Sequence, residues 1–363
     1  MSVATLPVAV SSGPVTVPST CFHLGYRPWL DGLRGIAILA VMAYHAEPQL
    51  LTHGYVGVDL FFVISGFLIT TLLIEEWDQN QKISFQRFYA RRALRLFPAL
   101  SVMLIAASVV MLLYPSVGQH FRSIAYAALY VMNWVMAFDL DQVSSTLYIT
   151  WSLAIEEQFY LIWPCALYAL LRWRLQTRSI LSILVLLLIV VCIHKEILLF
   201  HGVAITRIAH ASDSRADGLI IGCCVGLLAS SGLLPRQRKA LNGIVTCLSV
   251  IFVAYMLGLI RPYGAGLTIV NLFFASLLVV MLTSPPRSWV ALLNWSALRW
   301  AGRLSYSLYL WHLFAWFVAD RLMGNGFLKV VFAFSLAFAF ASVSYYVIER
   351  PCLRLKRGLA VVS

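Results

Sequence analysis

The stretch LDGLRGIAILAVMAYHA, residues 30–46, decides how the rest of the chain is read. It is apolar enough for a membrane-embedded helix, yet it carries Arg34 and His45. At ~100° per residue, the eleven positions between them make three turns plus about 20°, so both side chains share one face of a helix. Along the axis they stand about 16 Å apart, roughly half a ~30 Å hydrocarbon core. Ionisable groups at membrane depth usually face a cavity or a bundle interior and mark a site. The pair points to an enzyme that works across a bilayer.

Composition agrees with that starting point. Hydrophobic residues make up 61% of the 363, charged residues 12%, and the mean hydropathy is +0.84, which excludes a soluble globule. Uncharged stretches at 96–119, 123–138, 240–260, 262–286 and 330–348 have spanning or near-spanning length for helices. The dyad alternation of a membrane β-barrel is missing. The expected fold is all-α, a polytopic transmembrane helix bundle.

Net charge is +12, but the basic residues sit between apolar segments, at 87–95, 172–178, 236–239, 287–303 and 350–357. That placement reads as positive-inside topology with attraction to anionic membrane lipid or ligand phosphate, and not as nucleic-acid binding. The seven cysteines show neither CxxC pairing nor framework spacing, so they read as small buried hydrophobes, and no metal site is expected. Residues 1–25 hold no Lys or Arg and read as a mobile tail, not a secretory signal. Residues 353–363 form a short basic C-terminal tail.

Eleven apolar segments follow, near 30–46, 55–74, 94–114, 121–138, 147–171, 178–200, 216–232, 240–260, 264–284, 303–322 and 327–349. If every basic loop faces the cytoplasm, three segments lie between the loops at 87–95 and 172–178, which is the wrong parity. The segment 121–138, carrying Arg122, Asn133 and Trp134, is the one expected not to cross, as an interfacial or re-entrant element. About ten spans result, with both termini cytoplasmic. Arg34 then lies near the inner end of the first span and His45 near its outer end. Asp213, Arg215 and Asp217 fall at the outer mouth, as substrate-binding candidates.

Several residues could carry chemistry. Arg87, Arg91 and Arg95 recur at i, i+4 and i+8, with Arg92 beside them. Their forks suit phosphate or carboxylate, although an ordinary basic loop on lipid headgroups has the same pattern. In TLYITWSLAIEEQFYLIWP, residues 146–164, Glu156 and Glu157 interrupt a long uncharged run. Neighbours on a helix point ~100° apart, so one of the two is expected to face a given cavity. It would orient a histidine, bind a hydroxyl-rich acceptor, or simply pair with an arginine of the bundle. Trp151 and Tyr160 could stack on a sugar ring. His45 suits general-base work near neutral pH, with Asp59 as its candidate partner. His312, also intramembrane, reads as structural, and Glu349 with Arg350 as a cap or ion pair closing the last span.

Six segments taken in order resemble the membrane-bound acyltransferase 3 family, which includes bacterial O-antigen and exopolysaccharide O-acetylases. They are LDGLRGIAILAVMAYH (30–45), GYVGVDLFFVISGFLI (54–69), RFYARRALRLFPAL (87–100), WSLAIEEQFYLIWP (151–164), SRADGLIIG (214–222), and GRLSYSLYLWH (302–312) with YYVIERP (345–351). The resemblance spans residues 26–352. It implies a bundle of about ten helices in the bacterial inner membrane that passes an acyl group from cytoplasmic acyl-coenzyme A to a hydroxyl. Acetyl is the expected group, and a cell-envelope glycan, lipopolysaccharide or glycolipid the expected acceptor. The family's Arg-ten residues-His signature falls on Arg34 and His45, and its basic motif on Arg91, Arg92 and Arg95, with Arg87 at its edge. Coenzyme A phosphate would sit on these arginines. Some relatives carry a fused extracytoplasmic hydrolase-like domain; here the bundle is expected to act as a single unit or with a separate partner.

Two rival readings are a proton-coupled transporter and a lipid-linked sugar ligase or polymerase. Membrane His, Glu and Arg suit a proton relay, but neither repeat symmetry nor paired interrupted helices are seen. A ligase or polymerase would need a substantial outer loop, and the outer loops are short.

Overall fold

The computed structural model describes residues 22–46, 51–113, 121–235, 237–261 and 263–356. The N-terminal stretch 1–21 and the last part of the basic tail, 357–363, lie outside the described residues. Among those described, every regular element is a helix. They are α1 (Pro28–Ala46), α2 (Val56–Asn80), α3 (Phe85–Leu113), α4 (Arg122–Ala128), α5 (Met132–Ala137), α6 (Thr150–Arg172), α7 (Thr177–Phe200), α8 (Ile205–His210) and α9 (Ser212–Arg215). The second half adds α10 (Asp217–Ser230), α11 (Arg238–Met256), α12 (Ala265–Thr283), α13 (Arg287–Leu293), α14 (Ser296–Arg303), α15 (Ser305–Leu322), α16 (Phe327–Val343), a π-helical turn (Ser344–Glu349) and α17 (Arg350–Lys356).

Five described stretches are long and apolar enough to cross a membrane: α2, α3, α7, α12 and the run Phe327–Leu355. They differ in surroundings. The most apolar window of α2 is 78% buried in the protein, that of α7 only 17%. Ile183, Leu186, Val190 and Ile193 of α7 point outward. An apolar surface on that scale belongs against lipid, whereas α2 is the centre of the bundle.

Glycine sets how closely the central helices approach. A Cβ on Gly66 of α2 would lie 2.1 Å from the Leu219 carbonyl oxygen of α10, and one on Gly222 would lie 2.2 Å from that of Val63. The two helices therefore touch backbone to backbone, which small residues alone permit.

Some boundaries depart from expectation. The basic stretch 87–95 is helical and not a loop: α2 continues to Asn80 and α3 begins at Phe85. Buried acceptors hold the junction in place, with Glu75 taking the Leu24 amide and Glu76 the Ser84 amide at 2.8 Å. That first contact also fixes Leu24, which is buried, so the N-terminal tail is tied to the bundle from there onward. Segment 121–138 is two short helices broken at 129–131, where Tyr130 adopts φ 53°; at 1.5 Å per residue each is about 10 Å long. Segment 303–322 breaks at Leu304. The last span does not stop at Pro351. The helix widens into a π turn over 344–349 and runs on to Lys356, which relieves the clash a proline ring makes with the preceding turn. Glu349 and Arg350 are accordingly not a terminal ion pair: Glu349 accepts a hydrogen bond from Ser307 and Arg350 lies over the Tyr346 ring at 5.8 Å.

Candidate active site

Helix α1 does hold Arg34 and His45 on one side, and each meets α15. Arg34 donates through Nε (3.2 Å) and Nη2 (2.8 Å) to Ser305 Oγ. At the other end, His45 Nδ1 stands 3.2 Å from His312 Nε2 and 3.0 Å from the Val41 carbonyl oxygen. His312 Nδ1 in turn faces the carbonyls of Tyr309 (2.8 Å) and Leu308 (3.1 Å), and its side chain is fully buried. Asp59, expected as the partner of His45, is elsewhere.

Two adjoining recesses open beside Arg34. The outer, of about 670 Å³, is lined by Arg27, Arg91, Arg303 and Glu349, among others. The inner, of about 70 Å³, is lined by Arg92, Glu156, Tyr160, Ser65 and Tyr309. Arg34, Arg95, Leu68 and Tyr306 belong to both. Guanidinium forks crowded in this way are a seat for a phosphate or carboxylate. Charges already present are partly offset: Arg91 lies 3.6 Å from Glu76, and Arg92 covers the Tyr160 ring at 4.5 Å. Glu156 accepts from Ser65 (3.0 Å) and from Tyr160 (3.2 Å).

Neither recess is lined by His45. Their inner wall includes Ser152 and Tyr309, whose hydroxyls meet at 2.6 Å, and the Tyr309 ring centre is 5.8 Å from that of His312. One side-chain layer thus separates the arginine recess from the histidine pair. Arg87 is exposed and lines neither recess, so the four-arginine stripe divides. Glu157, a helical step away from Glu156, keeps its Oε1 buried and without a hydrogen bond among the described residues.

Three other candidates, Asp59, Arg215 and Asp217, gather with Lys195 in a buried charge cluster that lines neither recess. Asp59 pairs with Arg215 at 3.0 Å, both side chains buried. Asp217 accepts from Lys195 (2.7 Å), Thr268 (2.7 Å) and Asn271 (3.2 Å). Asp213 is held by Arg207 at 2.8 and 2.5 Å and faces His194 at 3.3 Å. Partial burial alone would raise the Asp213 carboxyl, but the Arg207 fork outweighs it and holds the group below the usual carboxylate value. Of the three residues expected at an outer mouth, Arg215 and Asp217 are buried in ion pairs and Asp213 is partly exposed. Tyr160 is buried with a ring face taken by Arg92, and Trp151 is covered by Arg215 at 5.5 Å and abuts His210, so neither presents a free platform for a sugar.

Sequence reasoning set His312 aside and passed over Ser305, Tyr309 and Lys195. A signal was there for three of them. Ser305, Tyr309 and His312 recur at i, i+4 and i+7 in SYSLYLWH, one face of a helix. Lys195 carried no such pattern. Among the described residues no three metal-capable side chains converge.

Comparison with known proteins shows the family of the chain. The family model described as an acyltransferase domain, of the acyltransferase 3 type, matches residues 27–347. The chain belongs to the acyltransferase 3 family. This acyltransferase 3 chain is 35% identical over 310 residues to the peptidoglycan O-acetyltransferase OatA of Listeria monocytogenes, covering 81% of the chain and 50% of that protein. It is 33% identical over 354 residues to YrhL of Bacillus subtilis, provisionally named a peptidoglycan O-acetyltransferase, covering 91% of the chain and 55% of YrhL. A provisionally named O-acetyltransferase of Staphylococcus aureus strain MSSA476 is 33% identical over 355 residues, 90% of the chain and 57% of its own length. The acyltransferase 3 chain thus spans about half the length of these relatives. No solved structure matches it.

Proposed function

We propose that the chain is a membrane O-acetyltransferase that moves an acetyl group from acetyl-coenzyme A to a hydroxyl of a cell-wall glycan. The observation that carries this reading is the arginine-lined recess one side-chain layer from the His45–His312 pair. The peptidoglycan O-acetyltransferase names of the relatives favour a cell-wall glycan over lipopolysaccharide. Residues 26–352 form the acyltransferase unit, with about ten spans in the bacterial inner membrane and both termini cytoplasmic, following the basic loops.

In this scheme Arg91, Arg92 and Arg95 take the phosphates of the donor, and Arg34, braced by Ser305, holds the entry to the inner recess. Side-chain movement at Tyr309 opens the way from recess to histidine. His45 accepts the proton of the acceptor hydroxyl as its oxygen attacks the thioester carbonyl. The new C–O ester bond forms, the C–S bond breaks, and the proton passes to the departing thiolate. Glu156 offsets part of the arginine charge.

The test supplies membranes containing the protein with radiolabelled acetyl-coenzyme A and peptidoglycan. Base-labile label in the glycan, lost in His45→Ala and Arg34→Ala at unchanged protein level, is the expected result. Equal labelling by both variants, or none by the unaltered protein, overturns the proposal.

A further inference from the structure

We infer that His312 is a positioning residue: it holds His45 in the tautomer protonated on Nδ1 and so leaves Nε2 as the bare nitrogen. The role of that nitrogen in catalysis rests on the acyltransfer reading above; the tautomer itself does not.

The donors and acceptors around the two rings fix the tautomers. His312 Nδ1 faces two backbone carbonyls, at 2.8 and 3.1 Å, which can only accept. Nδ1 of His312 therefore carries a hydrogen. In a neutral ring that leaves Nε2 as an acceptor. Nε2 lies 3.2 Å from His45 Nδ1, and the Val41 carbonyl is a second acceptor 3.0 Å from the same atom. With acceptors on both sides, His45 Nδ1 must donate. A bare Nδ1 would set its lone pair against two others. The remaining nitrogen of His45, Nε2, is then the unprotonated one, and it makes no hydrogen bond among the described residues.

The alternative is a doubly protonated His312 donating to His45. It would bury a cation completely, because no carboxylate contacts His312 among the described residues. An unpaired charge buried so completely is strongly disfavoured. The rings nearest the pair are those of Tyr44, Tyr148 and Tyr309, at 5.2, 5.9 and 5.8 Å, and none of them donates a hydrogen bond to either histidine.

The Val41 carbonyl is also the i−4 acceptor of the His45 backbone amide in α1, so His312 Nε2 is the acceptor that faces the ring N–H alone. When His45 Nε2 takes up a proton, the ring becomes an imidazolium whose Nδ1–H still points at His312 Nε2. That hydrogen bond strengthens as the charge develops, which is where an interaction accelerates a reaction. His312 sits on α15, seven residues beyond Ser305, the brace of Arg34. One helix thus holds both ends of the α1 pair.

Solid-state 15N NMR of histidine-labelled protein in lipid reads the tautomer directly, since protonated and bare imidazole nitrogens resonate far apart. The His45 signals are identified by their loss in His45→Gln. Expected in the unaltered protein are a protonated Nδ1 and a bare Nε2 on His45. In His312→Ala the Nε2-protonated form of His45 should appear. In His312→Gln, whose amide oxygen can accept in the place of Nε2, the original tautomer should persist. In acetyl transfer, His312→Ala should lower kcat about 100-fold with little change in the KM for acetyl-coenzyme A, and His312→Gln should recover part of it. A bare Nδ1 on His45 in the unaltered protein overturns the inference, as does an unchanged tautomer in His312→Ala. A tautomer that shifts while transfer persists at full rate leaves the histidine pair standing and overturns the role of His45 as base.

Discussion

Lys195 Nζ lies 2.7 Å from Asp217 Oδ2, and the two side chains are 1% and 0% exposed. This pair fastens α7, whose outer face is apolar, to α10 at the centre of the bundle. Removing Lys195 takes away the direct partner of buried Asp217 and leaves Arg215 as a more distant opposite charge. Lys195→Met should cost about 3–5 kcal/mol. A lowered unfolding midpoint of the detergent-solubilised protein checks this. Adding Asp217→Asn should restore most of the loss, since Thr268 and Asn271 still bind the side chain.

The contact of α2 with α10 makes a contrasting prediction. Gly66→Ala forces a Cβ against the Leu219 carbonyl and should cost about 1–3 kcal/mol. Gly243→Ala, in α11 with no atom within 4 Å of the added carbon, should be neutral or stabilising by about 0.5–1 kcal/mol. Measured side by side, the unfolding midpoint should fall in Gly66→Ala and should not fall in Gly243→Ala.

Arg95 lines both recesses and Arg87 neither. Arg95→Gln should raise the KM for acetyl-coenzyme A about tenfold, the loss of one charge-assisted contact. Arg87→Gln should leave it unchanged. For the unaltered protein the KM should rise with ionic strength, as screening weakens attraction between the arginines and the donor phosphates. Steady-state kinetics at two salt concentrations measures all three.

Asp59 and Arg215 form a closed pair, so substitution should act on folding before it acts on substrate. Arg215→Ala removes the direct partner of buried Asp59, with an expected cost of about 3–5 kcal/mol. Activity should fall in step with the amount of folded protein, and the KM values of the folded fraction should not move. A changed acceptor KM would place Arg215 on the substrate instead.

Much of the candidate-site geometry was legible along α1. The spacing of Arg34 and His45 is a property of a single helix, and local periodicity reports it faithfully. The arginine cluster was legible in position but not in division, because an i, i+4, i+8 stripe does not say which members turn toward a neighbour. Arg91, Arg92 and Arg95 meet the recesses only because α2, α6 and α15 close around them. Asp59 was drawn toward His45 by its polarity alone. Its partner is 156 residues away in the chain, a distance over which no spacing rule operates.

The sequence by itself determined that this is an all-helical membrane chain of the acyltransferase 3 family, with Arg34 and His45 on one face. Hydrophobic run length and helical period are local, and hydrocarbon admits little besides helices once barrels are excluded. Only the tertiary structure decided what those groups meet: Ser305 for Arg34, His312 for His45, Arg215 for Asp59 and Lys195 for Asp217. A buried charge or ring nitrogen must find a complement, but any helix of the bundle could supply it. The choice is made by how closely the helices pack, and a stretch such as Gly66 against Leu219 sets that through contacts no single segment contains.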